Sequence, residues 1–187
     1  MHKINKFYYF IDKFNSREIN KMDSKISLIY REYNRKINIR LLNDFKELCF
    51  AQKRELFISN NIKLALKLQL TGVYIPSFNN LLNFKNLSKN KKFKIIGSAH
   101  NINQLKTKEL QGCEEIFIAP LFPTKKNKYF LGINRFSTIS KETSRKIISL
   151  GGIKKENFSK LKMGNINGFA SISWIKKNRP KKIGRFL

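Results

Sequence analysis

Residues 93–119 read FKIIGSAHNINQLKTKELQGCEEIFIA. Phe93–Ser98 is rich in β-formers, Ile102–Leu110 has helical periodicity, and Glu115–Ala119 returns to an apolar strand pattern. A strand, a helix and a strand in this order form one parallel unit with a crossover. The alternation extends in both directions. Further strands are expected at Phe7–Ile11, Ile26–Arg31, Glu55–Ser59, Gly72–Pro76, Lys146–Leu150 and Gly168–Ile172. Asn38–Lys53 places Leu41, Leu42, Phe45, Leu48 and Cys49 on one helical face, and Ile62–Leu70 carries Ile62, Leu66 and Leu70 at i, i+4 spacing. Glu156–Met163 is a shorter helical segment.

Eight such units predict an α/β fold, a compact (β/α)8 TIM barrel, although 187 residues is short for that architecture. The rival is an open doubly wound sheet. The barrel is expected to occupy residues 1–175 as a single domain. The basic tail 176–187 is expected to fray into solvent.

In a parallel barrel all strand ends converge on one rim, where active sites are built. Here those ends bring Asp12, Arg31, Glu32, Ser59, Asn60, Asn61, Ser77, Ser98, His100, Thr124, Gly151, Gly152, Ser171 and Ser173. Gly151-Gly152 opens from a strand toward a helix, so backbone N–H groups can approach an oxyanion there. The loop after strand 6 starts with Pro120 and Pro123 and continues through Thr124, Lys125, Lys126 and Lys128. It reads either as a lid carrying positive charge over phosphates or as a solvated basic loop. His100 is expected to cap the next helix or pack a strand end. Trp174 and the run Phe7-Tyr8-Tyr9-Phe10 are expected to serve packing.

Lys and Arg number 39 against 12 Asp and Glu, for a formal charge of +27. This field favours encounter with phosphorylated molecules. Much of it is accounted for by a composition heavy in Lys, Ile and Asn, and the cations are scattered rather than gathered in one block. A nucleic-acid surface is therefore the weaker reading. A hydrophobic content of 41% excludes a disordered chain, and the longest apolar run is too short for a membrane helix. No secretory leader is apparent. Two cysteines, Cys49 and Cys113, are expected to be free thiols in a reducing cytoplasm.

Four segments in order, Ile96–Asn101, Pro120–Thr124 with Leu131-Gly132, Gly151–Ile153 with Asn157, and Asn167–Ser173, resemble the thiamine phosphate synthase and thiazole tautomerase family. The resemblance spans roughly residues 7 to 175. It implies a transferase that joins a pyrimidine methyl diphosphate to a thiazole phosphate and releases diphosphate. Small phosphorylated heterocycles are the implied partners. Arg31 would meet the diphosphate and Ser98 the pyrimidine side. Thr124, Gly151, Gly152, Ile172 and Ser173 would hold the thiazole phosphate. Pro120 fits the synthase branch, because the tautomerase branch places a His there.

The chain departs from the family on the diphosphate side. The implied magnesium acids stand here as Asn60, after Ser59, and Asn79. The family's lysine after strand 2 is replaced by Tyr33, and its Gln by Ile29. Amide oxygens bind magnesium far less well than carboxylates, so a resident metal would be weakly held. Two readings remain open. In one, Lys125, Lys126 and Lys128 replace part of the metal's charge. In the other, the chain is a diverged barrel that binds a phosphorylated heterocycle without transfer.

Overall fold

The computed structural model describes residues 4–33, 36–82, 84, 87, 92–125 and 128–186. Eight parallel strands close a ring in sequence order. They are β1 (Lys6–Ile11), β2 (Ile26–Tyr30), β3 (Leu56–Ser59), β4 (Gly72–Ile75), β5 (Lys94–Ala99), β6 (Glu115–Ile118), β7 (Lys146–Leu150) and β8 (Gly168–Ala170). β8 pairs back onto β1 through Lys6↔Gly168 and Tyr8↔Ala170. Following the register once round the ring returns to β1 displaced by eight residues. That is the stagger of a (β/α)8 barrel, and the open sheet is excluded.

The strands are buried on both faces, so they read as continuous apolar runs rather than alternating ones. Alternate residues sort into two packed sets. Tyr8, Phe10, Ile29, Phe57, Tyr74, Ile96, Phe117, Ile148 and Ala170 fill the interior of the ring. Their neighbours, including Phe7, Tyr9, Leu28, Ile58 and Ile116, face the helices. The interior is dominated by rings set edge to face. Tyr8 lies 4.9 Å from Phe117, Phe10 5.2 Å from Tyr74, and Tyr74 5.5 Å from Phe117.

The helices are α1 (Ser16–Asn20), α2 (Ile39–Ala51), α3 (Ile62–Lys67), α4 (Ile102–Leu110), α5 (Gly132–Lys141), α6 (Phe158–Leu161) and α7 (Ser173–Asn178). The asparagine-rich composition supplies caps. Asn15, Asn38, Asn61 and Asn101 each accept the backbone N–H three residues on, satisfying donors that the helix leaves unpaired.

Several expectations are corrected. In α2 the buried residues are Leu42, Phe45 and Cys49, while Leu41 is exposed. In α3 the inward residues are Leu64 and Ala65, and Leu66 faces solvent. Of the expected i, i+4 row, Leu66 alone faces solvent; Ile62 packs against the core, and Leu70 is buried beyond the helix end. The expected helix at Glu156–Met163 divides into a 3-10 turn, Lys155–Asn157, and the single turn of α6. α5 was not anticipated. Phe136, Ile139 and Ser140 are buried on it at i, i+3, i+4 spacing, with Ile133 packed against the core, so a periodic face is present in the sequence. The tail does not fray throughout. Asp23 N–H donates to the Pro180 carbonyl at 2.8 Å, and Ile183 N–H donates to the Asp23 carboxylate at 2.9 Å. Ile183 is fully buried.

The end of the ring opposite the strand C-termini is sealed by paired charges. The Tyr8 hydroxyl donates to Glu115 Oε2 at 2.5 Å, and Lys6 Nζ lies 3.5 Å from the same carboxylate. Ser27 donates to Glu55 Oε2 at 2.8 Å, and Lys94 is ion-paired with Glu55. Burial alone would raise the Glu55 carboxyl. The hydrogen bond from Lys94, the charges of Lys6 and Lys94, and the Ser27 hydroxyl outweigh burial and hold it below the usual carboxylate range.

A depressed folded-state pKa means that this stabilisation is complete above the unfolded carboxyl value and is lost as pH falls through the folded one. Glu55→Gln is expected to cost about 2 kcal/mol at neutral pH. In urea titrations over a pH series, the gap from the parent should shrink from about pH 4 downward. A gap of constant size would contradict the assignment.

Candidate functional site

The strand C-termini meet at the opposite end, and the loops there form two halves. The first half is built from β6, β7 and β8. Leu121 N–H donates to the Leu150 carbonyl at 2.9 Å, and Phe122 N–H donates to the Gly151 carbonyl at 3.1 Å. These bonds zip the loop after β6 to the loop after β7. The Ala119–Pro120 peptide is cis. Gly151 and Gly152 both take positive φ, +96° and +66°, which side chains rarely adopt. The approach is also sterically tight. A Cβ on Gly152 would lie 2.5 Å from the Pro123 carbonyl oxygen and 2.6 Å from that of Phe122.

Asn157 locks the same loop. It accepts from Lys154 N–H at 2.9 Å and donates to the Gly152 carbonyl at 2.9 Å. The Ser171 hydroxyl donates to the Ile153 carbonyl at 3.4 Å, tying the end of β8 to this turn. The Pro123 carbonyl thus lies against Gly152, and Thr124 is the next residue along the chain. Ile172 and Ser173 are exposed at the start of α7.

The lysine loop has a fixed base. Leu131 N–H donates to the Pro120 carbonyl at 2.9 Å, and Gly132 N–H donates to that of Leu121 at 3.0 Å. Lys125 and Lys128 are exposed on the excursion between. Lys126 lies outside the described residues.

The second half is built from β2, β3, β4 and β5. Arg31 follows β2, and its guanidinium stands 5.1 Å over the Phe10 ring, a cation–π arrangement. Tyr33 and Ser59 share a hydroxyl–hydroxyl bond of 2.7 Å. Asn60 is held in the left-handed region at φ +58°, with its N–H on the Tyr74 carbonyl at 2.8 Å. Asn79 Nδ2 donates to Asn60 Oδ1 at 2.7 Å, and Asn79 Oδ1 accepts from Leu81 N–H at 3.0 Å. Ser98 is buried and hydrogen-bonded to the Tyr74 phenol, whose pKa is raised by burial.

His100 behaves as a packing residue. Its Nδ1 lies 2.6 Å from the Ala119 carbonyl, and Asn101 caps α4. Trp174 packs on Phe158 at 4.7 Å, and Phe7, Tyr8, Tyr9 and Phe10 are all buried. Cys49 and Cys113 are free, buried thiols, and burial pushes them up to about 11 and about 12.

Three residues of this region were not anticipated. Tyr74 neighbours Ser98. Lys108 and Gln111 reach from α4 and the residue capping it to the loop after β4. The available signal was a lysine three residues after Leu105, on the inward face of a predicted helix.

The amide pair tests the fit to a divalent cation. Asn60 Oδ1 is already occupied by the Asn79 amide, and among the described residues no group of three or more His, Cys, Asp or Glu could hold a metal. Hard cations prefer carboxylate oxygen. The residues present do not fit magnesium. A separate cleft of about 500 Å³, lined by Phe50, Ala51, Lys53, Arg54, Glu55 and Thr71, lies at the sealed end and involves none of these groups.

Comparison with known proteins gives a consistent picture. A family model described as thiamine monophosphate synthase matches residues 22–175. A thiamine-phosphate synthase of Prochlorococcus marinus subsp. pastoris is 31% identical over 150 residues, covering 78% of this chain and 42% of that protein. The chain thus spans less than half the length of that relative. A thiamine-phosphate synthase of Pelagibacter ubique is 29% identical over 197 residues, covering 96% of this chain and 94% of that one. In structure, a thiamine phosphate pyrophosphorylase of Pyrococcus furiosus superposes with a TM-score of 0.78 at 16% identity, covering 97% of this chain and 95% of that one.

Gly152→Ala is expected to cost about 2 kcal/mol of stability, because the new Cβ strikes two carbonyls at a positive φ. Binding of inorganic phosphate, followed by calorimetry, should weaken at least about tenfold. Parental affinity in the variant would contradict a phosphate site at this turn.

Proposed function

The chain belongs to the thiamine monophosphate synthase family, and on that premise we propose that it joins a pyrimidine methyl diphosphate to a thiazole phosphate, releasing diphosphate. The bond between the pyrimidine methylene and the diphosphate oxygen breaks, and its electron pair leaves on diphosphate. The thiazole ring nitrogen then gives its lone pair to the methylene carbon. Such a reaction asks the protein for positioning and for stabilisation of separating charge.

The observation that carries this reading is the Gly151-Gly152 turn pressed against Phe122 and Pro123. It supports a cradle for the thiazole phosphate made by Thr124, Gly151, Gly152, Ile172 and Ser173. On the other half, Arg31 takes the diphosphate and Ser98, beside Tyr74, faces the pyrimidine. Tyr33, Ser59, Asn60 and Asn79 line that side with hydroxyls and amides.

The misfit of the amide pair to magnesium leaves the negative charge of the leaving group to side-chain cations. Arg31 is joined in this role by Lys125, Lys126 and Lys128. Each lysine offers a strongly hydrated point charge suited to phosphate. Residues 1–175 serve as the catalytic barrel, with 176–187 an appendage docked through Pro180 and Ile183. Reduced Cys49 and Cys113 fit a reducing cytoplasm. No described helix is long and apolar enough to cross a membrane.

A second reading is favoured by the same amide pair. A barrel that lost its two acids and kept its cradle would bind a phosphorylated heterocycle without transfer. The purified protein, given both heterocycles and followed by chromatography for thiamine phosphate, separates the two readings. Product is expected. Alanine at Lys125, Lys126 and Lys128 together should slow turnover at least about 100-fold, and chelation of magnesium should slow it less than that. No product, with thiazole phosphate still bound, would establish the second reading.

A further inference from the structure

Lys108 carries none of the roles assigned above, yet its surroundings are built around it. It lies in the last turn of α4 and is completely buried. Its ammonium donates to the carbonyls of Pro76 at 2.9 Å and Asn79 at 2.7 Å, and to Gln111 Oε1 at 2.8 Å. An ammonium has three donors and no acceptor, so this set is complete. Gln111, also fully buried, sends its own Nε2 to the carbonyls of Asn79 and Leu81, both at 2.8 Å.

Room for the lysine stem comes from Gly97 on β5. A Cβ there would come within 3.0 Å of Lys108 Cδ and 2.9 Å of Cys113 Sγ. A buried cation without a carboxylate partner is costly, and burial pushes the ammonium down to about 8. An apolar residue would pack this helix position at lower cost. What the lysine adds is a grip on a single loop, the one after β4.

That loop leads directly to the rim. The Asn79 carbonyl is held from below by Lys108 and Gln111, while the Asn79 side chain bonds Asn60. Asn60 is fixed to β4 through the Tyr74 carbonyl. Its neighbour Ser59 holds Tyr33, whose ring packs edge-on against Phe78 of the same loop at 5.8 Å.

We propose that Lys108, with Gln111 as its partner, is a positioning residue that fixes the loop after β4 and thereby the amide and hydroxyl groups facing the leaving diphosphate. This inference rests on the functional reading above. It adds a clamp in the helix layer that acts on the diphosphate half and leaves the thiazole phosphate cradle untouched. Lys108 itself touches no substrate.

The test compares the parent with Lys108→Met in two measurements, amide hydrogen exchange across residues 77–82 and calorimetric binding of inorganic pyrophosphate and of thiazole phosphate. Exchange in that loop is expected to quicken at least about tenfold, and pyrophosphate affinity to fall at least about tenfold. Thiazole phosphate affinity should stay within about twofold. Unchanged exchange, or equal weakening of both ligands, overturns the proposal. If Lys108→Met does not fold, Gln111→Ala removes the bonds to Asn79 and Leu81 and is read in the same way. A parent that binds neither ligand sinks the functional reading. The exchange data then decide the clamp alone, quickening supporting it and no change overturning it.

Discussion

Closure of the ring is the constraint on which the rest of this structure depends. Eight short strands staggered by eight residues leave an interior that side chains must fill completely. Here the filling is aromatic, with Tyr8, Phe10, Phe57, Tyr74 and Phe117 meeting edge to face. Beneath them, Lys6, Glu115, Lys94, Glu55 and Ser27 pair their charges and hydroxyls at the sealed end. Because the strands are all parallel, every loop that follows a strand emerges at the other end. Residues as far apart in sequence as Arg31 and Gly152 are thereby carried to one rim.

The two halves of that rim are made differently. The cradle half is backbone work, with positive φ at two glycines, a zipped pair of loops and an asparagine lock. The other half is side-chain work, with hydroxyl and amide pairs where the family resemblance implies acids. The contrast bears on the charge of the molecule. Glu115 and Glu55 are paired at the sealed end, whereas Arg31, Lys125 and Lys128 stand at or beyond the rim. Part of the surplus of +27 thus stands at the rim, where it would favour the approach of an anionic ligand.

Much of the fold was legible because strands buried on both faces announce themselves as short runs of Ile, Phe and Tyr. All eight expected strands are present, differing by a residue or two at their ends. Arg31, Pro76, Ala119 and Ile172 fall just outside the strands they were read into. Helices were harder. α3 is short and buries only two residues, so its periodic signal is faint, whereas the Phe136, Ile139 and Ser140 face of α5 is present in the sequence. The tail was read as frayed because it is basic, but local charge says nothing of Asp23, distant in sequence, which holds Ile183. On the site, the turn at Gly151-Gly152 was visible because positive φ leaves a mark in residue type. The clamp of Lys108 on the loop after β4 was not, because a lysine in a helix ordinarily lies on the solvated face. Its place three residues after Leu105 marks it as inward, but its use shows only in the three-dimensional position of Gly97 and the carbonyls of Pro76 and Asn79.

The central claim is that the diphosphate half of this rim works through cations and amides rather than through carboxylate-held metal. A crystal structure grown with pyrophosphate and magnesium tests it most directly. The account predicts pyrophosphate oxygens on Arg31 and the lysine loop, with the Asn60–Asn79 amide bond intact. A hydrated cation seated between those two asparagines, or pyrophosphate bound away from the rim, would contradict it.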